Sequence, residues 1–89
     1  MRTAQSLVFT DLAFRYVRSK KPQLGLIVSK KYGNAVQRNL FQRRCRSIFN
    51  IHIIKHNINY FIIIKPKINN LTFSTINKRF LAVCDALSS

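Results

Sequence analysis

The chain has 89 residues, 47% of them hydrophobic, and carries 16 Lys and Arg against two acids, for a formal charge of +14. That length is enough for a single domain, expected over residues 1–89, whose modest core buries only about 60% of the unfolded surface. Asp11 and Asp85 stand far apart in the sequence, so there is no carboxylate pair for glycosidase-type acid–base work and no acid cluster for two-metal phosphodiester cleavage by the protein itself.

Two cysteines make no disulfide framework, and no charged-then-apolar signal segment is evident. The longest apolar run, residues 60–64, is too short to cross a bilayer, and a cytoplasmic protein is expected. Self-repulsion at this charge calls for a polyanionic partner; nucleic acid fits better than an anionic membrane surface, because the apolar faces are needed for a core.

In chain order, LVFTDLAFRYV (residues 7–17) reads as one strand over about 8–17, with Val8, Thr10, Leu12, Phe14 and Tyr16 on the core-facing parity. RSKKP is a turn. LGLIVS (24–29) is a second, nearly continuous apolar strand, expected to be buried on both sides. Gly33-Asn34 then suits a turn leading into a helix, with Asn34 as N-cap.

The helix is expected over 35–49. At about 100° per residue, Arg38, Asn39, Gln42, Arg43 and Arg46 share an arc of about 140°, opposite Phe41, Cys45 and Ile48. Arg44 falls at the edge of the apolar arc and must snorkel. After a loop through Asn57, residues 60–65 form a third strand. A final helix over 72–87 places Phe73, Ile76, Phe80, Val83, Cys84 and Leu87 on one stripe, with Thr72 or Ser74 capping its start. The fold class is α/β (α+β): a small two-layer sandwich with helices packed against one sheet.

His52 and His56 have the four-residue spacing of zinc helices, but no Glu lies between them and the cysteines belong to packing stripes, so no metal site is expected. Cys45 and Cys84 read as core residues rather than nucleophiles. The arginine face is different. A solvated helix face ordinarily mixes signs to gain i,i+4 pairing, whereas this one is purely positive. Arginine's planar fork suits paired hydrogen bonds to phosphate, and Asn39 among the arginines can bond sugar or base edges.

The run LGLIVSKKYGNAV, residues 24–36, followed by Arg38-Asn39 and then Arg43 and Arg46, strongly resembles the protein subunit of bacterial ribonuclease P, whose pattern is "LGLxVSKKxGxAVxRN". NYFIIIK (59–65) is similar to that family's "DYVVIAR" strand, and Thr72 onward matches its closing amphipathic helix. The resemblance implies a catalytic RNA partner that uses Mg²⁺ to cleave precursor tRNA at the mature 5′ end, and a protein that binds this RNA and the 5′ leader without catalytic residues or a cofactor of its own. No obligate protein partner and no membrane are implied.

By the same resemblance Lys30, Lys31, Asn34, Arg38, Asn39, Gln42, Arg43 and Arg46 contact RNA. The leader is expected in a groove between the helix and the sheet, with Arg15 and Lys65 as contributors, and the strand–helix–strand crossover is expected to be left-handed. Four positions depart from the pattern: Leu40 replaces the second arginine of the Arg-Asn-Arg signature, Gln42 a usual lysine, Ser47 a frequent acid and Arg44 an aliphatic residue. Family members usually begin with a helix bearing lysine and phenylalanine, and this sequence starts near the strand that follows it. Leader binding is therefore expected to be weaker or to use other contacts, unless an upstream coding segment supplies the helix. A small ribosomal-type RNA-binding protein of related fold is the alternative, and a self-contained nuclease lacks any acid, base or ligand set.

Overall fold

A computed structural model describes residues 5–88. The order is β1 (Gln5–Val8), β2 (Leu12–Arg18), β3 (Gln23–Leu26), a 3₁₀ turn (Lys30–Tyr32), α1 (Ala35–Phe49), a π-helical turn (Asn50–Ile54), β4 (Tyr60–Pro66) and α2 (Phe73–Ser88). The strands form one sheet in the order β1-β2-β4-β3. β1 pairs antiparallel with β2 and β2 with β4, while β3 runs parallel to β4, so α1 is the crossover between two parallel neighbours.

The two-layer α+β architecture matches the sequence expectation, with one correction at the start. The expected strand over 8–17 is a hairpin, broken where Phe9 N–H donates to Leu12 O at 2.8 Å. The turn resets the side-chain parity: Leu7 registers with Phe14 and packs toward the core, leaving Val8 60% exposed. The fused apolar run carries no Gly or Pro to announce the break. Asp11 in the turn is instead held by Arg79 of α2, with Nε 3.1 Å from Oδ1, and the same guanidinium lies 4.8 Å over the Phe9 ring. A second correction concerns residues 24–29. The strand ends at Leu26 and forms a sheet edge, so Leu24 and Leu26 are only half-buried.

The core lies between one sheet face and the helices. Leu12, Phe14, Ile62 and Ile64 meet Phe41, Cys45 and Ile48 of α1 and Ile76, Phe80 and Val83 of α2, all essentially inaccessible. Phe14 and Phe80 pack edge-on, 5.6 Å between centroids. Phe73, expected on the core stripe, is 41% exposed because it opens α2 beyond the edge of this core. Thr72 caps the helix, its Oγ1 accepting Thr75 N–H at 3.2 Å.

The start of α1 has the form expected from Gly33-Asn34, with an added reciprocal bond. Asn34 Oδ1 accepts Gln37 N–H at 2.9 Å, and Gln37 Oε1 accepts Asn34 N–H at 3.1 Å. Gly33 sits at φ 157°, and a Cβ there would collide with the Gln37 side chain that completes the box. Asn34→Ala should therefore cost about 1 kcal/mol of folding stability, and Gly33→Ala should cost a similar amount by displacing Gln37. Urea unfolding of both variants checks this, and an unchanged midpoint for both would show that the box contributes nothing.

Candidate nucleic-acid interface

The apolar stripe of α1 sets where its charges go. With Phe41, Cys45, Ile48 and Phe49 buried, Asn39, Arg43 and Arg46 point to solvent, while Arg38 and Gln42 are half-buried at the margins. Arg38 spends one donor locally, Nη1 to Gly33 O at 3.0 Å, which closes the helix entrance and leaves its remaining N–H groups for a partner. Asn34 keeps only its amide NH₂ free, since its oxygen serves the cap. Lys30 and Lys31, on the 3₁₀ turn, are exposed just ahead of the helix. The eight residues thus lie on α1 and its entrance, and no acid stands in the first turn of α1.

Between α1 and the β3 edge lies a cleft of ≈ 440 Å³ lined by Leu24, Leu26, Gln42, Arg46, Phe49 and Asn50. This is the groove between helix and sheet, but Arg15 and Lys65 do not line it. Strand alternation explains why. Phe14 and Tyr16 of β2 and Ile62 and Ile64 of β4 are buried toward the helices, so Arg15 and Lys65 project from the opposite face. There Arg15 registers with Ile63 and Lys65 with Ala13, and Val17 registers with Phe61. The structure therefore divides the sequence-derived site between two surfaces: the α1 face with its cleft, and an open sheet face that is apolar in the middle and cationic at Arg15 and Lys65.

Sequence reasoning missed two local anchors. Arg44, left at the edge of the apolar arc, donates from Nη1 to Leu71 O at 2.8 Å. Tyr32 is buried against Phe41, 5.0 Å between ring centroids, and its hydroxyl accepts Leu71 N–H at 3.3 Å. An arginine on an apolar arc was the only visible signal, and its partner lies 27 positions away. His52 sits on the π-helical turn with Nε2 2.7 Å from Asn77 Oδ1. Among the described residues no group of three or more His, Cys, Asp or Glu side chains is placed to hold a metal.

Comparison with known proteins bears directly on this arrangement. The family model described as Ribonuclease P matches residues 1–88. The chain belongs to the ribonuclease P protein family. It is 34% identical over 76 residues to the ribonuclease P protein component of Finegoldia magna, covering 83% of this chain and 67% of that one. It is 32% identical over 74 residues to the component from Dictyoglomus turgidum, covering 76% and 62%. The chain thus spans about two thirds of the length of these relatives. Its fold is similar to the Staphylococcus aureus RNase P protein, with a TM-score of 0.78, 27% identity and coverage of 93% of this chain and 80% of that one. No helix among the described residues is long and apolar enough to cross a membrane.

The thiols of this ribonuclease P family member are built for packing. Burial pushes the Cys45 thiol up to about 12, with Arg46 only partly opposing it, and burial followed by the Asp85 charge raises Cys84. Neither environment favours a thiolate nucleophile. At pH 8, maleimide should label Cys45 only through unfolding, so its labelling rate should rise with denaturant in step with the unfolding rate. Fast native-state labelling of Cys45 would contradict its burial.

Proposed function

We propose that the chain acts as the protein subunit of ribonuclease P. It binds the catalytic RNA and the 5′ leader of precursor tRNA, and assists endonucleolytic removal of that leader to give the mature tRNA 5′ end. The observation that carries this is the solvent-facing Asn39, Arg43 and Arg46 face on a capped helix, in a chain of this family whose charge is +14. Lys30, Lys31, Asn34, Arg38, Asn39, Gln42, Arg43 and Arg46 contact RNA. Arginine forks bond phosphate oxygens in pairs, while Asn39 and Gln42 supply amides to sugar and base edges.

The leader lies on the open sheet face, where Arg15 stands opposite Ile63, Lys65 follows Ile63 along β4, and Phe61 extends the apolar surface on the other side. A single strand suits such a face because its bases offer π-surfaces to apolar side chains and its phosphates meet the two cations. The protein supplies position and charge, and the RNA supplies the chemistry. Mg²⁺ belongs to the RNA partner and enters no step performed by these side chains. Family membership favours this over a ribosomal-type binder.

Arg43→Ala and Arg46→Ala should each weaken binding to the catalytic RNA. Each should also reduce the slope of log affinity against log salt by roughly 0.7 to 0.9; an unchanged slope in both would remove the α1 face from the interface. The proposal as a whole is tested by reconstitution with the cognate catalytic RNA at low Mg²⁺. Added protein should raise precursor-tRNA cleavage, and no gain would overturn the assignment.

A further inference from the structure

The loop between β4 and α2 is pinned at one residue from two directions. Tyr32 takes the Leu71 N–H and Arg44 donates to the Leu71 carbonyl. Two clefts flank this pin, and Tyr32 is a wall of both. The first, ≈ 440 Å³, has Ser29, Lys31, Pro66, Lys67, Ile68 and Asn69 around it. The second, ≈ 280 Å³, is lined by Gln37, Leu40, Phe41, Arg44 and Asn70.

Their chemistries are complementary halves of one ligand. The first cleft presents two ammonium groups and no acid. The second has an apolar and aromatic floor edged by a guanidinium and two amides. Arg44 commits Nη1 to Leu71, which fixes the guanidinium while leaving its other N–H groups uncommitted. Gln37 uses its oxygen in the helix cap and keeps its NH₂. Asn70 is held at φ 58°, and its exposed side-chain amide has no protein partner among the described residues. Leu40 is 41% exposed at the border of the cationic arc, one turn from Arg43 and Arg44, where an apolar group cannot bind phosphate but can lie against a base.

We infer that these adjoining clefts form a subsite for one unstacked nucleotide of single-stranded RNA, its base in the Leu40–Arg44–Asn70 cleft and its phosphate at Lys31 and Lys67. The inference rests on the RNA-binding role proposed above and adds to the phosphate contacts a point of base recognition. Unstacked bases are read by stacking on apolar or guanidinium surfaces and by hydrogen bonds at their edges, and the smaller cleft offers both. Charge complementarity selects RNA as the occupant, since Lys31, Lys67 and Arg44 meet no acid in either lining.

The test uses the full chain, ¹⁵N-labelled, titrated with a hexauridine ribonucleotide and with an abasic ribose-phosphate chain of the same length. Hexauridine should shift the Asn70 and Gln37 side-chain amides and the Leu71 backbone amide, whereas the abasic chain should move signals at Lys31, Lys67 and the α1 arginines and leave those of Asn70 and Gln37 unmoved. Leu40→Ala should weaken hexauridine binding read at Asn70 by about fivefold and leave abasic binding unchanged. Lys31→Ala with Lys67→Ala should weaken both ligands and flatten the salt dependence. Equal responses to the two ligands, or a silent Asn70 while the α1 arginines respond, overturn the inference. Leu40 is exposed enough for its variant to fold, and the remaining spectrum verifies that it has. Neither arm contains the catalytic RNA, so a silent cleft leaves the ribonuclease P assignment standing, and failed reconstitution with an intact base response overturns only that assignment.

Discussion

Everything this protein presents to a partner depends on the burial of one stripe of α1. Phe41, Cys45, Ile48 and Phe49 are at most 5% exposed, and each fully buried apolar side chain of this kind contributes about 1.5–3 kcal/mol. Opposing them is repulsion among Arg38, Arg43, Arg44 and Arg46, which for neighbours on a helix amounts to about 0.2–0.5 kcal/mol per pair. Packing wins by a wide margin, so the helix holds a cationic face that it would not tolerate in isolation. The residual repulsion is then relieved by any polyanion that docks there, which links stability and binding through the same side chains.

The helix entrance converts that packing into a defined surface. Gly33, Asn34 and Gln37 set where α1 begins, and Arg38 folds back on Gly33 O to hold the turn carrying Lys30 and Lys31. Tyr32 ties this region together. Its ring packs on Phe41 and its hydroxyl reaches Leu71, so it joins the lysine turn, the basic helix and the β4–α2 loop. Arg44 adds the second tie to Leu71. The cost of this half-buried charge is limited because its stem lies along the core and its head finds a backbone carbonyl at the rim.

The helices and the strands β2, β3 and β4 were legible in the sequence because periodicity is a local signal. The Asn34 cap and the Phe41–Cys45–Ile48 stripe followed from spacing alone, and the LGLIVSKKYGNAV run with Arg38-Asn39 pointed to the family. What was not legible depended on tertiary partners. The hairpin break at residues 9–11 is stabilised by Arg79 from the far end of the chain, and no Gly or Pro marks it. The half-buried state of β3 follows from its edge position, which hydropathy does not encode. Arg15 and Lys65 were assigned to the helix groove by resemblance alone, although the core-facing parity of Phe14 already set Arg15 on the other face. The face of both is fixed by the pairing of β2 with β4 and by the parity of Phe14 and Ile64.

The separation of Arg15 and Lys65 from α1 has a mechanical consequence for the proposed role. A protein with all its cations on one face competes with itself when two nucleic-acid strands must be held together, because the same groups would serve both. Here the sheet stands between the two cationic surfaces, with Leu12, Phe14, Ile62 and Ile64 filling the side toward the helices. One strand can occupy the α1 face while another lies across Phe61 and Ile63, and the rigid sheet sets the spacing between them. A close-packed layer cannot be compressed without large cost, so that spacing survives the pull of either strand. In the proposed role, holding two strands at a fixed separation is what this arrangement of the sheet can contribute.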